Sequence, residues 1–104
     1  MIPNNEKSSK DIIETGLGSI GKIKILKSLA EEKKFLTIYA IHKKTHLKRE
    51  DIKRNLKELI QLNWIVEKKV DTFMYQLNLN NQYIEKLVIF FRDVGYMEQQ
   101  KDYL

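Results

Sequence analysis

The sequence predicts a mainly α-helical domain that carries one small β-hairpin. Three observations lead there. The chain has 104 residues, room for one hydrophobic core but not two. Apolar residues recur every three or four positions over most of its length, which is the helical period. Between about 64 and 79 that period gives way to the alternation of strands.

The elements follow in order. Residues 1–10 are polar after Ile2 and hold the only proline, so a loose arm is expected there. Ser8 or Ser9 suits the cap of a short helix through Thr15, closed by Gly16. Gly16-Leu17-Gly18 reads as a turn, and Ser19 as the N-cap of a long helix over about 19–33. Ile20, Ile23, Leu26, Leu29 and Ala30 would form its buried stripe, with Lys22, Lys24 and Lys27 off it. Thr37 suits the cap of a short helix over 38–44, with Ile38 and Ile41 inward and Tyr39 undecided. Thr45-His46-Leu47 is a tight connection with one buried leucine. A helix over 48–62 follows, its face set by Ile52, Leu56, Leu59 and Ile60. Glu50 and Asp51 lie in its first turn, where the helix dipole favours anions. Asn63 can take the left-handed conformation that stops it.

Residues 64–69 and 74–79 read as strands, with Tyr75, Leu77 and Leu79 on one face. Val70-Asp71-Thr72-Phe73 would be the hairpin tip. Phe73 there either packs against a neighbour or stands exposed. Asn80 is expected to cap a last helix over 81–95. Residues 96–104 are mostly polar and read as a frayed tail. The domain plan is an arm or short helix over 1–15, a central domain over 16–79, and a helix with its tail over 80–104.

Composition excludes several classes. With 42% hydrophobic and 32% charged residues the chain is globular rather than disordered. The absence of cysteine removes disulfides, thiolate zinc sites and iron–sulfur clusters, and fits a cytoplasmic protein. No run reaches the roughly 18 apolar residues that cross a bilayer, and the polar start shows no signal peptide. His42 and His46 straddle a predicted helix end, and no third ligand is suitably spaced, so no metal is expected. No nucleophile–base pair, phosphate-binding glycine loop or catalytic carboxylate pair can be assembled. The expectation is a protein without enzymatic activity or cofactor.

Charge is the more informative signal. Of a net +5, residues 22–69 carry +8, from 14 Lys/Arg against 6 Asp/Glu. Both flanks are slightly acidic. A polyanion is the simplest partner for such a block. A plainer reading is a lysine-rich surface from AT-rich coding, since lysines outnumber arginines 16 to 3.

The order helix, helix, helix, hairpin, helix is that of a winged helix-turn-helix with an added C-terminal helix. The stretch from Thr45 through Ile65 strengthens it. Ile52, Arg54, Leu56-Lys57, Leu59, Leu62 and Ile65, together with Leu17-Gly18-Ser19 ahead of Lys22-Ile23-Lys24-Ile25-Leu26, are the residues that carry a family resemblance. Over about 17–79 the chain resembles winged helix-turn-helix transcription regulators of the archaeal and bacterial arsenic-repressor and multiple-antibiotic-resistance type. It departs from their pattern where His46 and Asn63 replace glycines, and where Lys48 replaces a capping Ser or Thr. The resemblance implies a sequence-specific regulator that binds double-stranded DNA.

Placing Ile52, Leu56, Leu59 and Ile60 inward leaves Glu50, Arg54, Lys57, Glu58 and Gln61 on the opposite arc, with Arg49 and Lys53 at its edge. The N-terminal half of a recognition helix faces base edges. Arg49, Glu50, Lys53 and Arg54 are the candidates there, since arginine donates twice to guanine and glutamate accepts from cytosine. Lys43, Lys44, Lys48, Lys57, Lys68 and Lys69 suit phosphates, which position without reading sequence. A plainer reading of α-helical charge is a solvated face with pairs such as Glu50–Arg54. The last helix is apolar over more than one face. Ile84, Leu87, Val88, Phe91 and Val94 would cover the core. Tyr83, Leu87, Phe90 and Val94 form a second seam, the expected homodimer interface. Two alternatives stand beside the regulator: a winged-helix protein-interaction module in a larger assembly, and a non-specific, chromatin-like DNA binder.

Overall fold

The computed structural model describes residues 8–97. The start of the expected arm and most of the expected tail lie outside the described residues. Five helices and one hairpin follow in order: α1 Ser9–Gly16, α2 Ile20–Glu31, α3 Ile38–Thr45, α4 Arg49–Gln61, β1 Ile65–Val70, β2 Thr72–Leu77 and α5 Gln82–Asp93. This is a mainly helical chain with a two-stranded antiparallel hairpin, compatible with the predicted class. Among the described residues no helix is long and apolar enough to cross a membrane.

Side-chain caps start four of the helices. Ser8 Oγ accepts from the Asp11 amide and Ser19 Oγ from the Lys22 amide, each at 3.2 Å, and Thr37 Oγ1 accepts from Ala40 at 3.1 Å. The cap of α5 is Asn81 rather than Asn80: its side chain accepts from Tyr83 at 2.8 Å and Ile84 at 3.3 Å. The neighbouring Asn80 instead donates its amide to Asn78 Oδ1, closing the preceding turn. At the start of α4, Lys48 makes no side-chain cap, and Glu50 and Asp51 complement the dipole in its place.

Two helices end in the same way. Asn63 (φ 65°) and Gly95 (φ 76°) are left-handed. The Trp64 amide reaches back to Leu59 O at 3.0 Å, and that of Tyr96 to Phe91 O at 2.9 Å. The second reversal orders Tyr96 and Met97, the first two residues of the expected frayed tail, whose remainder lies outside the described residues. It turns the Tyr96 ring edge-on to Phe91 at 4.9 Å, and Met97 is buried beyond it.

The hairpin is tighter than expected. Pairing runs from Ile65↔Leu77 to Val70↔Thr72, so Asp71 (φ 64°) alone turns the chain, in place of the predicted four-residue tip. Trp64 precedes β1 instead of opening it, and Leu79, predicted on one strand face with Tyr75 and Leu77, lies beyond β2 and is exposed while those two are buried. A third backbone segment joins the sheet. Leu36 exchanges two 2.8 Å backbone hydrogen bonds with Tyr75, so the loop between α2 and α3 forms a one-residue edge strand.

Ile25, Leu26 and Leu29 of α2, Ile41 of α3, and Ile52, Leu56 and Leu59 of α4 meet in one core with Trp64, Leu77, Ile84 and Phe91. Here α2 departs from the expected stripe. Ile20, at its first position, is 64% exposed, while Lys22 is only 6% exposed. The lysine is buried because its charge is satisfied: the ammonium donates to Thr15 O at 2.8 Å and pairs with Glu58 of α4. Trp64 lies against Gly16, where an added Cβ would stand 2.2 Å from the indole ring. Gly16→Ala is therefore expected to cost about 1–3 kcal/mol through overpacking. A fall in the urea midpoint at unchanged m-value checks this.

Burial, reinforced by a hydrogen bond to Glu67 and its negative charge, pushes the Tyr75 hydroxyl up to about 12. The folded value is raised above the ordinary tyrosine value, so its contribution is complete below about pH 10 and is lost as pH rises toward 12. Stability of the wild type should fall over that alkaline window. In Tyr75→Phe this portion of the pH dependence should vanish, as denaturant midpoints measured from pH 9 to 12 would reveal.

Candidate nucleic-acid interface

The site is built on α4. With Ile52, Leu56 and Leu59 buried, the remaining arc faces solvent, and Arg49, Glu50, Lys53, Arg54, Lys57 and Glu58 are all exposed on it. The turn ahead of α4 fixes its direction through a dense local network. Thr45 Oγ1 donates to Ile41 O at 2.8 Å and accepts from the Leu47 amide at 3.2 Å. His46 takes the left-handed conformation (φ 62°) where the resembling family has glycine. His42 Nδ1 donates to Leu47 O at 2.7 Å, so this histidine ties the turn together. Among the described residues no cluster of three or more His, Cys, Asp and Glu could hold a metal. Against α2 the approach is close: a Cβ on Gly21 would come within 2.7 Å of Asn55 Nδ2.

The predicted base-facing residues fall into two electrostatic states. Arg54 donates to Asp51 Oδ1 at 2.5 Å, an i, i+3 pair in place of the Glu50–Arg54 pair that spacing alone suggests. Arg49 lies with its guanidinium carbon 5.5 Å from the centre of the Tyr39 ring, and Lys53 stands exposed beside them. Arg49 and Lys53 have no ion-pair partner among the described residues.

The predicted phosphate contacts divide similarly. Lys48 and Lys57 are exposed at opposite ends of the arc. Lys43 lies 5.8 Å from the Tyr39 ring centre. Lys44 is held on the far side of α3 by Glu32 at 3.0 Å and Glu31 at 3.6 Å. Burial opposes its charge, yet the two carboxylates together raise its pKa above the ordinary lysine value. On the hairpin, Lys68 sits over Phe35 at 4.1 Å and Lys69 over the half-exposed Phe73 at 5.3 Å. Each hairpin cation thus rests on an aromatic face, which orders a long side chain without neutralising it.

The sequence alone leaves Tyr39 undecided and gives Phe35 no role. The available signal was the Tyr39–Lys43 spacing of four, which puts both on one helix face.

The seam predicted on α5 is divided by the fold. Phe90 and Val94 project into solvent at 57% and 58% exposure, so Val94 does not cover the core as expected. Leu87 and Tyr83 are half-buried against their own core. Tyr83 stacks on Trp64 with centroids 6.1 Å apart, and its hydroxyl hydrogen-bonds Ser9 Oγ at 2.8 Å. Ile89 adds an exposed apolar side chain on another face of the helix.

No protein-family model, curated protein or solved structure matches the chain.

The Arg54–Asp51 pair is exposed, and such pairs contribute only about 0.2–1 kcal/mol. A double-mutant cycle of Asp51→Ala and Arg54→Ala should give a coupling energy in that range at low salt and a smaller one at high salt. A coupling indistinguishable from zero at low salt would mean that Arg54 stands free.

Proposed function

We propose that the chain is a winged helix-turn-helix transcription regulator that binds double-stranded DNA as a homodimer. One observation carries the reading. A single helix, α4, keeps an aliphatic face in the core and turns Arg49, Lys53, Arg54 and Lys57 outward, with the uncancelled hairpin cations Lys68 and Lys69 on the strand that follows. The arrangement supports α4 as the element that enters the major groove, and the hairpin as the wing that grips the backbone. Arg49, Glu50, Lys53 and Arg54 would read base edges. Lys43, Lys48, Lys57, Lys68 and Lys69 would meet phosphates. Arg54 would exchange Asp51 for guanine on binding, so its ion pair holds it extended along the helix until a base replaces the carboxylate.

The net +8 of residues 22–69 supports a polyanion in preference to a protein partner, since a protein-interaction module has no need of that surplus of positive charge. With about six phosphates contacted per dimer, the logarithm of the binding constant should fall with the logarithm of salt at a slope of roughly −5. Arg54→Ala should cost about 1–3 kcal/mol and relax base preference, and Lys68→Ala should weaken all duplexes alike. Fluorescence anisotropy with a selected and a random duplex measures both. No binding to any duplex at low salt ends the nucleic-acid reading, and equal affinity for the two duplexes makes the protein a non-specific binder.

The homodimer rests on Phe90 and Val94, two large apolar side chains left in water on one face of α5. A twofold pairing there would present two α4 helices about 34 Å apart for successive major grooves. Because Phe90 is exposed within its own protomer, Phe90→Glu should leave helix content intact. It should also split the dimer, since a buried unpaired charge costs several kcal/mol. Sedimentation decides the matter: a wild-type monomer at tens of micromolar would refute the dimer.

A further inference from the structure

Tyr39 lies outside the core, on α3, and is 56% exposed. Its ring nonetheless has two neighbours of one kind. Lys43 Nζ, one turn later on α3, lies 5.8 Å from the ring centre, and the guanidinium carbon of Arg49, at the start of α4, lies 5.5 Å from it. The ring therefore spans the turn between the two helices and collects a cation from each side.

Several cations of the domain are already neutralised by carboxylates. Lys22 is paired with Glu58, Lys44 with Glu31 and Glu32, and Arg54 with Asp51. Lys43 and Arg49 have no carboxylate partner among the described residues. An aromatic face attracts a cation through its quadrupole and leaves the full positive charge available to a third party. The phenol hydroxyl is uncommitted as well. The Tyr83 hydroxyl is hydrogen-bonded to Ser9 and that of Tyr75 to Glu67, but the Tyr39 hydroxyl has no hydrogen-bond partner among the described residues. Around one ring the fold thus groups a hydroxyl, an ammonium and a guanidinium that no carboxylate neutralises among the described residues. A phosphodiester, with its charge and two free oxygens, satisfies that donor set.

We propose that Tyr39 is a positioning residue of the DNA interface, its hydroxyl donating to a backbone phosphate while its ring holds Lys43 and Arg49 in place. The proposal rests on the nucleic-acid reading above and deepens it. It extends the contact surface from α4 onto α3 and gives Arg49 a fixed origin from which to reach a base. The ring acts through Arg49, and the hydroxyl acts directly.

Two substitutions separate the parts. Tyr39→Phe keeps the ring and removes the hydroxyl, and Tyr39→Leu removes both. Each is compared with wild type on a selected duplex and a random duplex by anisotropy over a salt series. Tyr39→Phe should weaken both duplexes alike, by roughly three- to tenfold, the range expected for one lost hydrogen bond, with the salt slope unchanged because no charge is lost. Tyr39→Leu should also narrow the ratio between the two duplexes, as Arg49 loses its support, and should reduce the slope by about one, as Lys43 loses its hold on a phosphate. Thermal midpoints of both variants should stay close to wild type, because the side chain is exposed. A purely structural tyrosine would not alter base preference at constant stability. Wild-type affinity in Tyr39→Phe overturns the phosphate contact, and wild-type preference in Tyr39→Leu overturns the positioning of Arg49. Wild-type protein that binds no duplex overturns the nucleic-acid reading and this proposal together, whereas duplex binding unaffected by either substitution overturns this proposal alone.

Discussion

The packing of Trp64 is the constraint on which the architecture depends. It is only 1% exposed and touches α1, α4, α5 and the segment just beyond β2. Its amide closes α4 on Leu59, its carbonyl accepts from Asn78 just beyond β2, its ring covers Gly16 at the end of α1, and Tyr83 of α5 stacks on it. The burial outweighs one local defect. The indole Nε1–H is buried without a hydrogen-bond partner among the described residues, a cost of about 1–3 kcal/mol. An indole removes roughly 150–250 Å² from water, worth about 4–6 kcal/mol at ~25 cal/mol per Å². The ring therefore stays in the core, and α1, α5 and the hairpin are held against the end of α4 by a shared partner.

From that anchor the surface of α4 follows. Trp64 sets where the helix ends, the Thr45–Leu47 network sets where it begins, and the Lys22–Glu58 pair ties it to α2 and, through Thr15, to α1. The outward arc is thus rigid in direction even though its side chains are exposed. Within it the cations are graded by what holds them: a carboxylate for Arg54, aromatic rings for Arg49, Lys43, Lys68 and Lys69, and solvent for Lys53 and Lys57. Charge held by a ring is oriented but not cancelled, which suits a surface whose proposed partner supplies the anions.

Much of the fold was legible because it is encoded locally. Ser19 and Thr37 sit one residue ahead of periodic apolar runs, and Asn63 follows one, so the starts of α2 and α3 and the end of α4 could be read from spacing and capping chemistry. Two of the misreadings depend on distant partners. Lys22 reads as polar and outward until Glu58 and Thr15 come to it. Leu36 joins the sheet through one residue, too short for any period to register. Asn80 and Asn81 are equivalent as letters, and only the tight turn from Asn78 decides between them. At the candidate site, the exposed arc of α4 followed from the Ile52, Leu56 and Leu59 spacing. The pairing of each cation did not, since Tyr39, Phe35 and Phe73 reach their lysines and arginine mostly across separate elements.

The three left-handed corners at His46, Asn63 and Asp71 have a consequence for how the protein can change. All three carry a Cβ in a conformation that costs an L-residue up to about 1–2 kcal/mol and that glycine adopts freely. Asn and Asp offset part of this with local hydrogen bonds, and histidine does so less readily. A chain built this way keeps a margin of stability in reserve at its exposed bends. A lineage under thermal pressure can draw on that margin by single replacements at the corners. Core and basic arc can then remain untouched while the melting temperature drifts.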